Sequence, residues 1–315
     1  MVMSRAFSKV WRSVFVVAAL SVVFVATPLV ADDARIDEAI AGLDGLSAAM
    51  CSYSVEVHKA GKFRLSADRA LIDLESRILR AKDAVGRVRV ETNGTAPGNI
   101  GRDESVPNTV YGVFDGETYR NMYGRKRFTF GTVSKSPGTL RSGLDLNDFL
   151  YSYFRDDIAT EYLKKHQSKG LECRELANGD LEVVTPPRLE QETGNLYRAC
   201  FVLRPSQGYF PIKRASQISF AHDPDAWHEY SSIVTRELKT LDNGAVVPVK
   251  SVLKSVFSSS ERAKNGEEFP VAWEYEVQFN DWRVNPEFPE DHFDFAFGPG
   301  IYVVNEITGE SYRTE

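Results

Sequence analysis

No compact catalytic signature occurs in the sequence. It has no Gly-x-Ser-x-Gly nucleophile turn, no glycine-rich phosphate loop, no His-Glu-x-x-His and no Cys-x-x-Cys. These absences remove the densest hydrolase, nucleotide-binding, zinc-protease and thiol-redox readings. Basic charge is also short. Lys and Arg number 38 against 44 acidic residues, for a net charge of -6. Without a basic excess there is no footprint for phosphate backbones, so nucleic acid is excluded as the expected partner. Beyond residue 31 no apolar run is long enough to span a bilayer, which predicts a soluble remainder. Histidine occurs only five times and cysteine three times. No cofactor is implied.

What is present begins with a leader. Arg5, Lys9 and Arg12 precede Ser13–Ala31, an uncharged stretch rich in Val, Ala, Leu and Phe and interrupted by Pro28. A basic start, an apolar core, a helix breaker and a small residue before acid have the layout of a secretory signal. The run has 19 residues, close to the roughly 20 needed to cross a bilayer, so an uncleaved membrane anchor is the competing reading. Cleavage after residue 31 would remove three basic residues and leave 35 against 44, a net charge of -9. Residues 32–315 then read as a single β-rich domain. Cys51 lies too far past the leader for lipoprotein acylation. Export places Cys173 and Cys200 in an oxidising space. They fall in predicted strands separated by one short strand, so a disulfide and a pair of buried thiols are both open.

The chain after the leader alternates between two periods. Ile36, Ala39, Ile40, Leu43 and Leu46 predict a helix over 33–50. Tyr53–Val57 and Val85–Glu91 alternate as strands, while 66–82 fits either period. Asp115-Gly116, Asn178-Gly179 and Asn243-Gly244 each separate two strand-like runs, and Asn265-Gly266 precedes Pro270–Phe279. Such dipeptides supply the positive φ angles of tight hairpins. They predict an antiparallel meander with no crossover helices. Leu146, Phe149, Leu150, Tyr153, Phe154, Ile158 and Tyr162 predict one amphipathic helix over 145–166. Stretches 93–108 and 132–144 read as long loops. The expected fold is α+β: one large, curved antiparallel sheet with helices packed on its concave side.

Candidate sites are few. His222-Asp223-Pro224-Asp225-Ala226-Trp227-His228 is the densest polar cluster. His222, Asp225 and His228 could ligate zinc, against the plainer reading of a polar turn between two strands. Asp291, His292 and Asp294 sit among strand-like Phe293, Phe295 and Phe297 and read as an outward face. Val271, Trp273, Tyr275, Val277 and Phe279 alternate with polar residues, as do Tyr197, Ala199, Phe201 and Leu203. Each such strand has one apolar face. It either fills a core or lines a cavity for an acyl chain under Phe149, Tyr153 and Phe154; the same alternation serves both.

The order of elements resembles the bacterial lipoprotein-carrier superfamily (LolA, LolB, LppX and RseB-like domains). The resemblance rests on several segments. Helix 33–50 runs into the strand Tyr53–Val57. Val113-Phe114-Asp115-Gly116-Glu117-Thr118-Tyr119 looks like the family's Asp-Gly hairpin. Leu203-Arg204-Pro205-Ser206-Gln207-Gly208-Tyr209-Phe210-Pro211-Ile212-Lys213 is similar to its turn into a Pro-hydrophobic-Lys strand. The ending runs from Phe288-Pro289 to Phe297 and on through Pro299-Gly300-Ile301-Tyr302-Val303-Val304-Asn305. Arg204 and Asn305 depart from the family pattern, which carries Asp at both places. The resemblance implies an exported half-open barrel that binds a lipid or lipidated protein in an apolar cavity. Its candidate lining is Phe149, Tyr153, Phe154, Tyr197, Phe201, Trp273, Tyr275 and Phe279. RseB-like members imply an alternative, a non-catalytic sensor or interaction domain with an envelope protein partner. A secreted hydrolase with a dispersed site is the third reading, and no enzyme activity is expected.

Overall fold

The computed structural model describes residues 33–98, 104–125, 128–135, 159–167 and 169–315. The leader and most of the expected helix 145–166, with Phe149, Tyr153 and Phe154, lie outside the described residues. A helix α1 (Asp33–Ala49) precedes strands β1 (Tyr53–Phe63), β2 (Ile72–Lys82), β3 (Val88–Pro97), β4 (Ser105–Phe114), β5 (Tyr119–Arg125) and β6 (Phe128–Ser134). Helix α2 (Ala159–Gln167) follows, then β7 (Glu172–Glu175), β8 (Leu181–Val184), β9 (Arg188–Leu189), β10 (Leu196–Arg204) and β11 (Phe210–Phe220). The chain continues through β12 (Asp223–Thr240), β13 (Val246–Val256), a short helix α3 (Ser260–Lys264), β14 (Val271–Val284), β15 (Tyr302–Asn305) and β16 (Glu310–Arg313).

Among the described residues all sixteen strands belong to one sheet, ordered β16-β15-β6-β5-β4-β3-β2-β1-β14-β13-β12-β11-β10-β8-β7, with β9 paired to β10. The path is open: its end strands β16 and β7 do not meet. The meander read from the hairpin dipeptides is there. Gly116, Gly179, Gly244 and Gly266 all take positive φ, between 67° and 101°. From Ile72 on, the ambiguous stretch 66–82 resolves as strand, because β2 pairs with β1 along its whole length, while 66–71 is turn. The expected loop 93–108 is largely hairpin, since β3 runs to Pro97 and β4 begins at Ser105. One pairing departs from the antiparallel expectation: β15 runs parallel to β6.

Period-two alternation divides the sheet into two faces. On one, α1 buries Ile36, Ala39, Ile40, Leu43 and Leu46 in the same cluster as Val57, Ile78, Phe201, Tyr275, Val277 and Phe279. Helix α2 joins α1 there. Leu163 is fully buried, Lys164 Nζ lies 3.1 Å from Asp44 Oδ2, and Gln167 Nε2 donates to Asp37 Oδ1 at 2.9 Å. Gly42 lets α1 approach the turn after β10, where an added Cβ would stand 2.6 Å from the Tyr209 ring.

The opposite face is crossed by the segment between β14 and β15. Expected as strand around Phe293, Phe295 and Phe297, it is instead a 3₁₀ turn, Glu290–Phe293, and an irregular strap. Its backbone polar groups turn to arginines of the sheet. Arg89 Nη1 donates to the His292 carbonyl at 2.9 Å and Arg120 Nη1 to the Phe295 carbonyl at 3.2 Å. Phe293 is buried with Ala81 and Val113, Phe295 stacks on Tyr111 at 5.0 Å, and Phe297 rests on Gly131, where an added Cβ would lie 2.3 Å away. The strap thus carries the chain from β14, beside β1, to its place beyond β6.

Candidate functional site

The two departures from the family pattern are both explained locally. Arg204 does not cap its own turn; its guanidinium bridges both oxygens of buried Asp180, at 3.1 and 3.3 Å. Asn305 Oδ1 accepts from the Ile307 and Thr308 amides at 3.0 and 3.2 Å. A side-chain amide oxygen closes that turn as a carboxylate would.

Of the polar cluster 222–228 only His222 lies in the turn. β12 already begins at Asp223, so only Ala221 and His222 connect it to β11. Among the described residues no group of three His, Cys, Asp or Glu is placed to hold an ion. The two imidazoles pack on aromatics instead. His222 stacks on Phe220 at 5.8 Å, and His228 meets Phe220 and Phe269 at 5.7 and 5.4 Å. His222 Nδ1 is also 3.2 Å from Ser260 Oγ, and Asp225 is exposed.

The proposed disulfide is overturned by the register. Cys173 is paired across to Val183, which faces Phe201, whereas Cys200 is paired to Val184. Neighbouring residues of a strand point to opposite faces, so the two sulfurs lie on opposite sides with β8 between them. Cys173 belongs to the large core and Cys200 to a small cluster with Val184 and Ala215. Both are free thiols. Burial pushes their pKa values up, to about 11 for Cys173 and about 12 for Cys200.

The apolar stripe of β14 divides. Phe279 and Tyr275 are buried, as is Phe201 on β10. Burial raises the Tyr275 phenol to about 12. Trp273 is only half-buried, stacked on Tyr275 at 5.8 Å. Tyr197 stands apart, edge-on to Tyr230 at 6.0 Å and donating to Glu190 Oε2 at 3.3 Å. Phe63, Val88, Phe114, Tyr119 and Trp282 are likewise half-buried at the margin of the core. Sequence reasoning passed over these five, although Phe114 and Tyr119 stack at 4.3 Å across a hairpin that it had located.

A groove of about 1060 Å³ lies on the other face of β1, β14, β13 and β12. Its walls carry charges of both signs, His58, Lys62, Arg236, Lys250, Glu274 and Glu276, set among apolar Ala60, Leu71, Val252 and Val271. A smaller cleft of about 320 Å³ is lined by Glu229, Tyr230, Lys254, Glu268 and Phe269.

No family model matches the chain, and no curated protein does. Two solved structures are similar in extent. One is a DUF1329 family protein from Desulfovibrio piger, 8% identical, with 83% of this chain and 96% of that one covered at a TM-score of 0.38. The other is a domain proposed to be an outer membrane lipoprotein-sorting protein, from Vibrio parahaemolyticus. It is also 8% identical, with 82% and 97% covered at a TM-score of 0.39. At these values neither match assigns a family or an activity. Among the described residues no helix is long and apolar enough to cross a membrane.

Proposed function

We propose that the chain is an exported, non-catalytic envelope protein that holds an apolar ligand, the acyl chain of a lipid or of a lipidated protein, against the helix-bearing face of its sheet. The observation that carries this reading is a mismatch of areas. Fifteen strands in sequence give a sheet about 65 Å wide at roughly 4.8 Å per strand. The described helices, α1 and α2, lie against each other, and two helices side by side cover about 20 Å. Large side chains are left half-covered at the border: Phe63, Val88, Phe114, Tyr119, Trp273 and Trp282. Half-covered apolar side chains grouped at one border offer an apolar ligand a place to dock. Register shifts in β1 against β14 and along β10 to β14 supply places for the sheet to bend, as do Gly61 and Gly94, where an added Cβ would strike the neighbouring strand's backbone. Bulges and glycines are the usual devices for curving a sheet around a cavity. Each buried methylene of a ligand would contribute about 0.8 kcal/mol.

The test is native mass spectrometry of protein taken from an envelope fraction, before and after delipidation, with titration of a fluorescent fatty-acid probe. Co-purified lipid and saturable binding weakened by Trp273→Ala are expected. Absence of both overturns the reading. A second reading, a domain that binds a protein partner, is favoured by the mixed-charge groove on the opposite face. A defined protein captured without lipid would support it.

A further inference from the structure

One corner of the sheet gathers cations and exposed aromatic rings. Strand β5 ends at Arg125 and β6 begins at Phe128, and the connection between them is Lys126-Arg127 in the sequence. A run of three cations therefore falls at one hairpin end of a chain whose net charge is -6. β15 runs parallel to β6 and starts at that same end, and β16 returns to it. Tyr302 is paired with Phe130, and Arg313 with Tyr302, which adds a fourth cation. Arg313 Nη1 donates to the Gly300 carbonyl at 3.4 Å, and Arg313 makes no ion pair among the described residues. Glu104, before β4, and Glu315, past β16, fall at the same end and leave the cations in excess.

The rings form a row. Val110, Tyr123, Phe130 and Tyr302 are paired in turn across β4, β5, β6 and β15. Directly paired residues share a face. Gly131, next to Phe130, carries the strap on its own side, so the row points the other way, to the helix-bearing side. Burial falls along it. Val110 is buried and Tyr123 half-buried, stacked on Phe130 at 4.9 Å, while Phe130 and Tyr302 are 40% and 44% exposed. A single exposed ring needs no explanation. Two paired ones, at the end where the cations collect, mark a contact surface. Cations beside aromatic rings suit the surface of an anionic bilayer, where charges meet the head groups and rings lie at head-group depth. A chain that is acidic overall meets such a surface through a locally basic end.

We propose that this corner, with Arg125, Phe130, Tyr302 and Arg313, docks the protein on an anionic lipid bilayer. The docking goes beyond the acyl-binding reading and does not need it. It does give that reading a direction. Tyr119 and Tyr123 share a face of β5, and Tyr119 with Phe114 packs against the margin of the core. The apolar border thus runs from the docking corner toward the helices.

The experiment is co-sedimentation of the protein, as recovered from an envelope fraction, with two kinds of vesicle. One is phosphatidylcholine alone and the other contains about one-third phosphatidylglycerol. Binding to the anionic vesicles at low salt is expected, with loss of most of it at about 0.5 M salt. Arg125→Gln and Arg313→Gln should each weaken it about fivefold. The pair Phe130→Ser with Tyr302→Ser should weaken it too, and remove what binding persists at high salt. A control pair at exposed sites elsewhere, Lys239→Gln with Lys264→Gln, should leave it unchanged, which separates the corner from net charge. Thermal melting checks each variant, and the arginine variants carry the test should the aromatic pair fold poorly. Equal binding to both kinds of vesicle, binding to neither, or equal weakening by the control pair overturns the docking corner. So does binding to heparin without binding to vesicles, which would assign the cations to a soluble polyanion. The fatty-acid titration is independent of these outcomes, so the acyl-binding reading stands or falls separately.

Discussion

Phe279 and Trp273 lie on one face of β14 and differ in what surrounds them. Phe279 is enclosed in the main cluster, whereas Trp273 packs against that cluster from its margin. Removing an enclosed aromatic side chain leaves a void, so Phe279→Ala should cost about 3–5 kcal/mol. Trp273→Ala should cost about 1–2 kcal/mol yet weaken binding of a fatty-acid probe, and chemical denaturation alongside probe titration separates the two. The cysteines give a second outcome at this scale. Cys51 is exposed while burial holds Cys173 and Cys200 as thiols well above neutral pH. A thiol reagent at about pH 8 should label one cysteine in the native protein and three after unfolding. A single labelled cysteine in the unfolded, unreduced chain would reinstate a disulfide. Alternation along each strand was readable here, but the relative phase of β7 and β10 was not. It depends on how both register with β8, and a shift of one residue would have put the two sulfurs on the same side.

The strap is the element whose nature was least legible. Phe293, Phe295 and Phe297 alternate as a strand would, but their backbone meets guanidinium groups and no neighbouring strand. Phe293 is enclosed against Ala81 and Val113 with the Arg87 guanidinium 4.8 Å from its ring centroid. Phe293→Ala should cost about 3 kcal/mol and raise hydrogen exchange in β2 to β4, where the strap lies. The strap should also respond to pH. Burial, and then the charge of Arg89, hold the His292 pKa below its ordinary value; Arg87 acts in the same direction, and Glu91 and Asp291 oppose it. Below about pH 6.5 the unfolded chain then binds a proton that the folded one resists. Stability should be lost as pH falls through that value. The urea midpoint should drop more between about pH 7.5 and pH 5.5 in the native sequence than in His292→Gln. Equal drops would remove His292 from the response.

Taken whole, the molecule is an open sheet with two differently finished faces and two charged edges. β7 presents Glu172, Arg174 and Glu175, and β16 is exposed along its length with Glu310 and Arg313. Charges on edge strands discourage pairing with other chains, so the protein should run as a monomer in size-exclusion chromatography at micromolar concentration. One face is closed by the strap. The other is closed in part by α1 and α2, and it is there that the proposed function puts its ligand.

The amino-acid sequence by itself determined the local matters: helix α1 from its apolar spacing, the hairpins from Asp-Gly and Asn-Gly, and the apolar side of β14 from strict alternation. These follow from interactions within a few residues, which composition and period express directly. Tertiary structure alone decided the rest. It turned the 222–228 cluster into the start of a strand, separated Cys173 from Cys200 and laid the last phenylalanines across the sheet. Each of these depends on pairings between segments far apart in the chain. Such pairings leave no periodic trace in any one strand, because register is fixed by neighbours that the local sequence does not contain.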